Sequence, residues 1–149
     1  MEKINKSEEL LYAWVKLSTI IKNNRITKGL MYNEAIIMLI VYNKYREDKN
    51  SVVSIKEIIA ETKMLKSLVN RTVNSLEKKS LLTKCEVGKD KRMVYVKCVE
   101  ENLKIFLEVH NTSLNIVNQI IKVIGMEKAN SFIDMVKCIA KNNFSLPKN

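Results

Sequence analysis

Lys66, Ser67, Leu68, Asn70, Arg71 and Asn74 fall on one face of a helical stretch whose other face carries Val69, Thr72, Val73 and Leu76. Their chemistry is that of a base-edge reader. Lys and Arg donate to the O6 and N7 acceptors of guanine, Asn pairs bidentately with adenine, and a hydroxyl or apolar group meets a thymine methyl. Leu68 is apolar yet outward by helical phase, flanked by polar groups. Standing alone, such a face would be no more than a solvated helix surface. It is followed, however, by the basic tip Gly88-Lys89-Asp90-Lys91-Arg92, placed between two β-rich runs. Asp90 can hold the Arg92 guanidinium in one geometry, which lowers the ordering cost of inserting it into a narrow, negative minor groove. A free charged turn is the plainer reading of that tip. Together, a basic helix and a cationic hairpin point to double-stranded DNA.

Such groups need a scaffold that presents a helix and a hairpin together. Ser54 and Glu57 form a capping box, in which the hydroxyl takes the third backbone N–H and the carboxylate returns to the cap. A short helix to about residue 61 follows, then a second helix over 65–79, LKSLVNRTVNSLEKK. Residues 81–87 and 93–98 read as a hairpin, with Val94 and Val96 alternating against Tyr95 and Lys97. This order is that of a winged helix-turn-helix, so the expected fold is mainly α with a small β-hairpin wing.

Upstream, residues 7–24 place Leu10, Leu11, Trp14, Leu17, Ile20 and Ile21 at helical spacing, before a break at Asn23-Asn24 and Gly29. Residues 32–46 predict a helix with Ala35, Ile36, Leu39, Ile40, Tyr42 and Asn43 on a broad apolar face, and Ser51-Val52-Val53 predicts a small edge strand. Downstream, 100–124 and 126–142 are amphipathic helices split by Gly125 in a left-handed stop position. The tail that carries Pro147 is expected to fray.

The chain has 149 residues with three glycines and one proline, so about one predominantly helical domain is expected. Its 26 Lys and Arg against 16 Asp and Glu give a formal charge of +10 and a pI near 9.5. A polyanion is the default partner of such a chain, and nucleic acid is the commonest. No apolar run of about 18 residues occurs, and the N-terminal MEKINKSEELLYAW turns charged where a signal peptide would turn apolar. A cytoplasmic location without a membrane partner is therefore expected. Cys85, Cys98 and Cys138 stand at long, irregular spacings unlike a zinc or C-x-x-C motif and are expected to be small buried apolar residues.

Catalysis is not expected. The single histidine, His110, lies within the long helix, with no acid-His-nucleophile spacing, no H-E-x-x-H pattern and no glycine-rich phosphate loop in the chain. His110 reads as a polar core or interface residue. Neither a metal nor another cofactor is called for. The competing function is a nonspecific nucleic-acid-binding or dimeric protein-interaction module, although an RNA-recognition strand with interleaved aromatics is absent.

From Ser54 through Phe106 the sequence resembles the helix-turn-helix and wing of the multiple antibiotic resistance regulator (MarR) family of dimeric bacterial transcription factors. The resemblance is carried by Leu76-Glu77-Lys78-Lys79-x-Leu81 and by Asp90-x-Arg92. The flanking helices, one before and two after, fit the family's dimerisation layout. The resemblance implies a single domain, with a winged-helix DNA-binding lobe over about 32–99 and dimerisation helices over about 7–30 and 100–145. By the same resemblance, Lys66, Ser67, Asn70 and Arg71 face the groove and Arg92 is the minor-groove arginine. Ser54 and Lys56 lie where a helix N-terminus and a cation hold a phosphate, while Lys89 and Lys91 make nonspecific phosphate contacts. A ligand-responsive repressor that binds pseudo-palindromic operators as a homodimer is the implied function. Tyr12, Trp14, Tyr32 and His110 are candidates to line a small-molecule effector pocket, with ordinary core as their alternative role.

Four positions depart from the family pattern. Ser80 stands where a glycine is usual after the recognition helix, so that helix end must adopt a costlier conformation or a different cap. Leu65 replaces the small polar cap before the recognition helix. Val99 and Asn102 replace the usual Thr and Gly at the start of the long helix after the wing.

Overall fold

The segment that carries Lys66, Asn70 and Arg71 folds in the expected order. In the computed structural model, which describes residues 3, 5–23, 29–89 and 91–142, helix α3 (Ile55–Thr62) is joined by a three-residue turn to α4 (Lys66–Lys78). Strands β2 (Leu82–Cys85) and β3 (Tyr95–Cys98) follow as an antiparallel hairpin. Asn24, Asp90 and Pro147 lie outside the described residues. Preceding this segment are α1 (Lys6–Asn23), α2 (Tyr32–Glu47) and strand β1 (Val53–Ser54); a 3-10 turn (Glu100–Asn102), α5 (Leu103–Ile124) and α6 (Met126–Lys141) come after it. The protein is thus mainly helical with a small wing. The sheet has three strands, because β1 pairs with β3 through Val53 and Val96 and leaves β3 in the middle.

Two compact units divide the chain, residues 1–112 and 113–149, with α5 running from the first into the second. In the first unit the core is built from Ile37, Met38 and Val41 of α2, Ile58 of α3, Val69, Val73 and Leu76 of α4, Leu82 and Val96 of the hairpin, and Phe106 of α5. Each is essentially removed from water, and burying one such side chain stabilises by about 1.5–3 kcal/mol. The faces of α4 follow the sequence reading, with Val69, Thr72, Val73 and Leu76 buried.

On α2 the buried stripe differs from the expected one. It is Glu34, Ile37, Met38 and Val41, while Leu39 and Asn43 are exposed and Ala35, Ile40 and Tyr42 only pack against the core from its margin. Ala35 to Val41 is an unbroken apolar run, so it carries no 3.6-residue period from which to choose a face. A second correction concerns the cysteines: Cys98 is buried and Cys85 half-buried, but Cys138 on α6 is exposed. Burial pushes the Cys98 thiol up to about 11, which keeps it protonated and unreactive near neutral pH.

Ser80 takes the costlier conformation that its position demands, with φ at +58°. Its N–H donates to the Glu77 carbonyl at 2.9 Å, and the Leu81 N–H donates to Leu76 at 3.0 Å. That pair of bonds is a Schellman closure, normally reserved for glycine. Asn102, which departs from the family pattern, holds the same turn by donating from Nδ2 to the Ser80 carbonyl at 2.8 Å. In the second unit Gly125 has positive φ as expected, but at φ +85° and ψ 159° it is extended rather than left-handed helical, and it caps the start of α6.

Candidate nucleic-acid interface

Helix α3 starts where it does because the Ser54 hydroxyl accepts the Glu57 N–H at 3.0 Å. The Glu57 carboxylate returns to the hydroxyl at 3.3 Å, where a full capping box would take the Ser54 N–H. Ser54 is buried, and its hydroxyl is engaged in this cap. Its contribution to the site is to fix the helix end from which Lys56 projects. The turn into α4 is closed by Lys63 in left-handed conformation at φ +59°, a device that the sequence reading missed.

Helix α4 then begins without a side-chain cap at Leu65, has no acidic residue in its first turn, and opens on Lys66. A cation at a helix N-terminus opposes the helix dipole, and an uncapped first turn leaves N–H groups in want of an acceptor. Both features suit an anion. The apolar group most open to solvent at this end is Leu65, 76% exposed, while Leu68 is half-buried rather than outward as expected. One turn of α4 further on, the Thr72 hydroxyl donates to the Leu68 carbonyl at 2.8 Å.

A cleft of about 380 Å³ brings the separate segments together. Lys56 from α3, Lys66 and Asn70 from α4, and Arg92 from the wing line it with Ser54, above an apolar floor that includes Ile59 and Val94. Five of the sequence-predicted residues therefore meet at one place. Ser67, Arg71 and Asn74 are exposed along α4 but do not line the cleft, and Lys89 and Lys91 are exposed on the wing. The Asn74 side chain is engaged: its Oδ1 accepts from Lys84 Nζ, a β2 lysine that the sequence reading did not single out.

The far end of α4 is tied to α2 by a buried carboxylate. Glu34, only 2% exposed, accepts from Lys79 Nζ at 2.8 Å, from the Ser75 hydroxyl at 2.9 Å and from the Met31 N–H at 2.9 Å. Burial pushes its pKa up, but these hydrogen bonds and the Lys79 charge outweigh it and hold the carboxyl below its ordinary value. The sequence signal was available: Glu34 is the third residue of a helix, where a carboxylate can reach back to the preceding N–H.

The candidate effector residues are dispersed. Tyr12 and Trp14 on α1 and Tyr32 at the start of α2 are exposed. His110 is half-buried, stacked on Phe106 at 5.6 Å and edge-on to Tyr42 at 5.9 Å. Among the described residues no ring contact joins Tyr12, Trp14 or Tyr32 to that cluster, and no group of His, Cys, Asp and Glu is placed to hold a metal ion. No described helix is long and apolar enough to cross a membrane.

A sequence model of the MarR family matches residues 37–93, from the core of α2 to the base of the wing. Over that segment, which holds the helix-turn-helix and the start of the wing hairpin, the chain is similar to the MarR family. Solved structures with this fold align over nearly its full length. CouR from Rhodococcus jostii RHA1, bound to p-coumaroyl-CoA, is 13% identical, with a TM-score of 0.76 and coverage of 97% of this chain and 100% of that one. A MarR-family regulator from Rhodococcus sp. RHA1 is 14% identical, with a TM-score of 0.75 and coverage of 96% and 100%. NadR in complex with 4-hydroxyphenylacetate is 19% identical, with a TM-score of 0.70 and coverage of 96% and 100%. At these identities the likeness is one of fold. Comparison with curated proteins finds no match.

Proposed function

We propose that this protein is a MarR-family regulator, cytoplasmic and sequence-specific, of a bacterial cell, and that it binds pseudo-palindromic operators in double-stranded DNA as a homodimer. The observation that carries the reading is the cleft in which Lys56, Lys66, Asn70 and Arg92 converge from α3, α4 and the wing. Cations placed around an uncapped helix start suit the phosphate backbone, and Asn70 and Arg71 on the same helix supply directional groups for base edges. Ser67 and the exposed Leu65 add a hydroxyl and an apolar group for a thymine methyl. Lys89 and Lys91 extend the phosphate contacts along the wing. Leu68, half-buried, contributes at its margin.

Dimerisation is supported separately in each unit by apolar side chains open to solvent, Leu10 and Trp14 on α1 and Met135 and Ile139 on α6. We infer further that an effector releases the DNA, which makes the protein a ligand-responsive repressor. Two of the similar folds were solved with aromatic acid derivatives, p-coumaroyl-CoA and 4-hydroxyphenylacetate, so aromatic acids are the first compounds to try here. Tyr12, Trp14, Tyr32 and His110 are the side chains proposed to meet them.

Selection of binding sites from a randomised duplex library, followed by fluorescence titration of the enriched site, tests the reading. An inverted-repeat motif bound with at least about 10³-fold preference over random duplex is the expected result. Binding of all duplexes alike would instead establish the nonspecific alternative. A thermal-shift screen with aromatic acids, read against release of the selected duplex, tests the effector.

A further inference from the structure

We propose that Asn74 and Lys84 act as one composite base-reading group that selects guanine over adenine at the base pair it meets. The inference rests on the DNA-reading function above and specifies one element of its sequence preference. Lys84 Nζ on β2 donates to Asn74 Oδ1 on α4 at 2.5 Å. An ammonium only donates, so the amide must turn its oxygen toward it, and the orientation of Asn74 follows from chemistry. The lysine is itself held in place. Its backbone N–H donates to Glu77 Oε2 at 3.2 Å, and its Nζ lies 3.9 Å from Glu77 Oε1.

An isolated asparagine reads adenine because it offers an acceptor to the N6 amino group and a donor to N7. Here the acceptor is occupied by a cation. An adenine amino group that approached Oδ1 would meet a positive charge at close range, whereas the O6 and N7 acceptors of guanine would meet the amide N–H groups and the remaining ammonium protons. Asn74 stands four residues after Asn70, which lines the cleft, so the two share one helix face. Lys84 retains 42% side-chain exposure, and Asn74 is exposed.

Library selection with the full-length wild type, Asn74→Ala, Lys84→Met and Lys84→Arg tests the pair, with thermal melts to show that each variant is folded. Asn74→Ala should erase preference at one base pair per half-site and so identify it. At that base pair the wild type should favour guanine, Lys84→Met should shift the guanine-to-adenine ratio toward adenine by about 5- to 100-fold, and Lys84→Arg, which only donates, should keep guanine. A wild-type motif whose ratio is unchanged in Lys84→Met overturns the pairing while leaving the DNA-reading function intact, as does a loss of affinity that is uniform across sequences with a salt slope lower by about one. A wild type that enriches no motif overturns the DNA-reading function and this inference together.

Discussion

Arg92 and Glu34 stand near opposite ends of α4, Arg92 at the cleft and Glu34 in the core. Arg92 lines the cleft from an exposed wing. Arg92→Ala should weaken binding of the selected operator by about 1–3 kcal/mol per half-site. Equal affinities of mutant and wild type in titrations at moderate salt would remove the wing from the interface. Glu34 is buried among donors that suit only its charged form. Because its folded pKa lies below the ordinary 4.5, it stabilises the fold above that value, and the stabilisation is lost as pH falls through the folded pKa. Glu34→Gln should cost about 1–3 kcal/mol at neutral pH, and the gap to wild type should close as urea titrations are carried below about pH 4.5. A gap that stays constant down to pH 3 would show that the charge of Glu34 contributes nothing.

At the scale of elements, the recognition helix is compromised at both ends, and the two compromises differ in kind. Its C-terminal closure places Ser80 at φ +58°, a left-handed conformation that carries a penalty of about 1–2 kcal/mol for a residue with a Cβ. Ser80→Gly should relieve it and raise stability by about 1 kcal/mol in urea denaturation, since the Asn102 bond goes to the Ser80 backbone carbonyl and survives the substitution. No gain, or a loss, would mean that the serine side chain stabilises this turn by a route the bonds above do not contain. The uncapped N-terminal end is the one proposed to meet DNA. If the helix docks by that half, Asn70→Ala or Arg71→Ala should flatten preference among operator variants, whereas Lys78→Ala should change overall affinity alone. Competition experiments in which Lys78→Ala altered base preference as strongly as Arg71→Ala would require a different docking of the helix.

The whole molecule carries more apolar surface than its two units cover. None of the described α1 residues is buried, although the sequence gives that helix an apolar stripe, and on α6 only Ala129 is. Stripes of this kind seek a partner, and the family's layout makes a second copy the proposed one. Light scattering at micromolar concentration should give twice the monomer mass, and the selected operator should contain half-sites with centres about one helical turn apart. A monomer under those conditions, with operator binding retained, would rule out the symmetric arrangement.

Much of this architecture was legible in the sequence because its signals are local. The 3.6-residue period of Val69, Val73 and Leu76 phases α4 without reference to anything else, and alternating β-branched residues around a glycine-bearing basic tip specify a hairpin. Ser80 announced its strained conformation by standing where only glycine is free of penalty. What the tertiary structure decided are matters of contact between segments far apart in the chain. The apolar run of α2 could bury any face, and Glu34 settled the choice by meeting Ser75 and Lys79, more than forty residues away. The third strand exists only because β3 passes beside Val53. Lys84 reaches Asn74, and Arg92 joins Lys56 and Lys66 at one cleft, only after the hairpin has folded back onto α4. Periodicity tells which side of an element turns inward; it carries no record of which donor from another element will arrive to satisfy a buried charge or occupy an exposed amide.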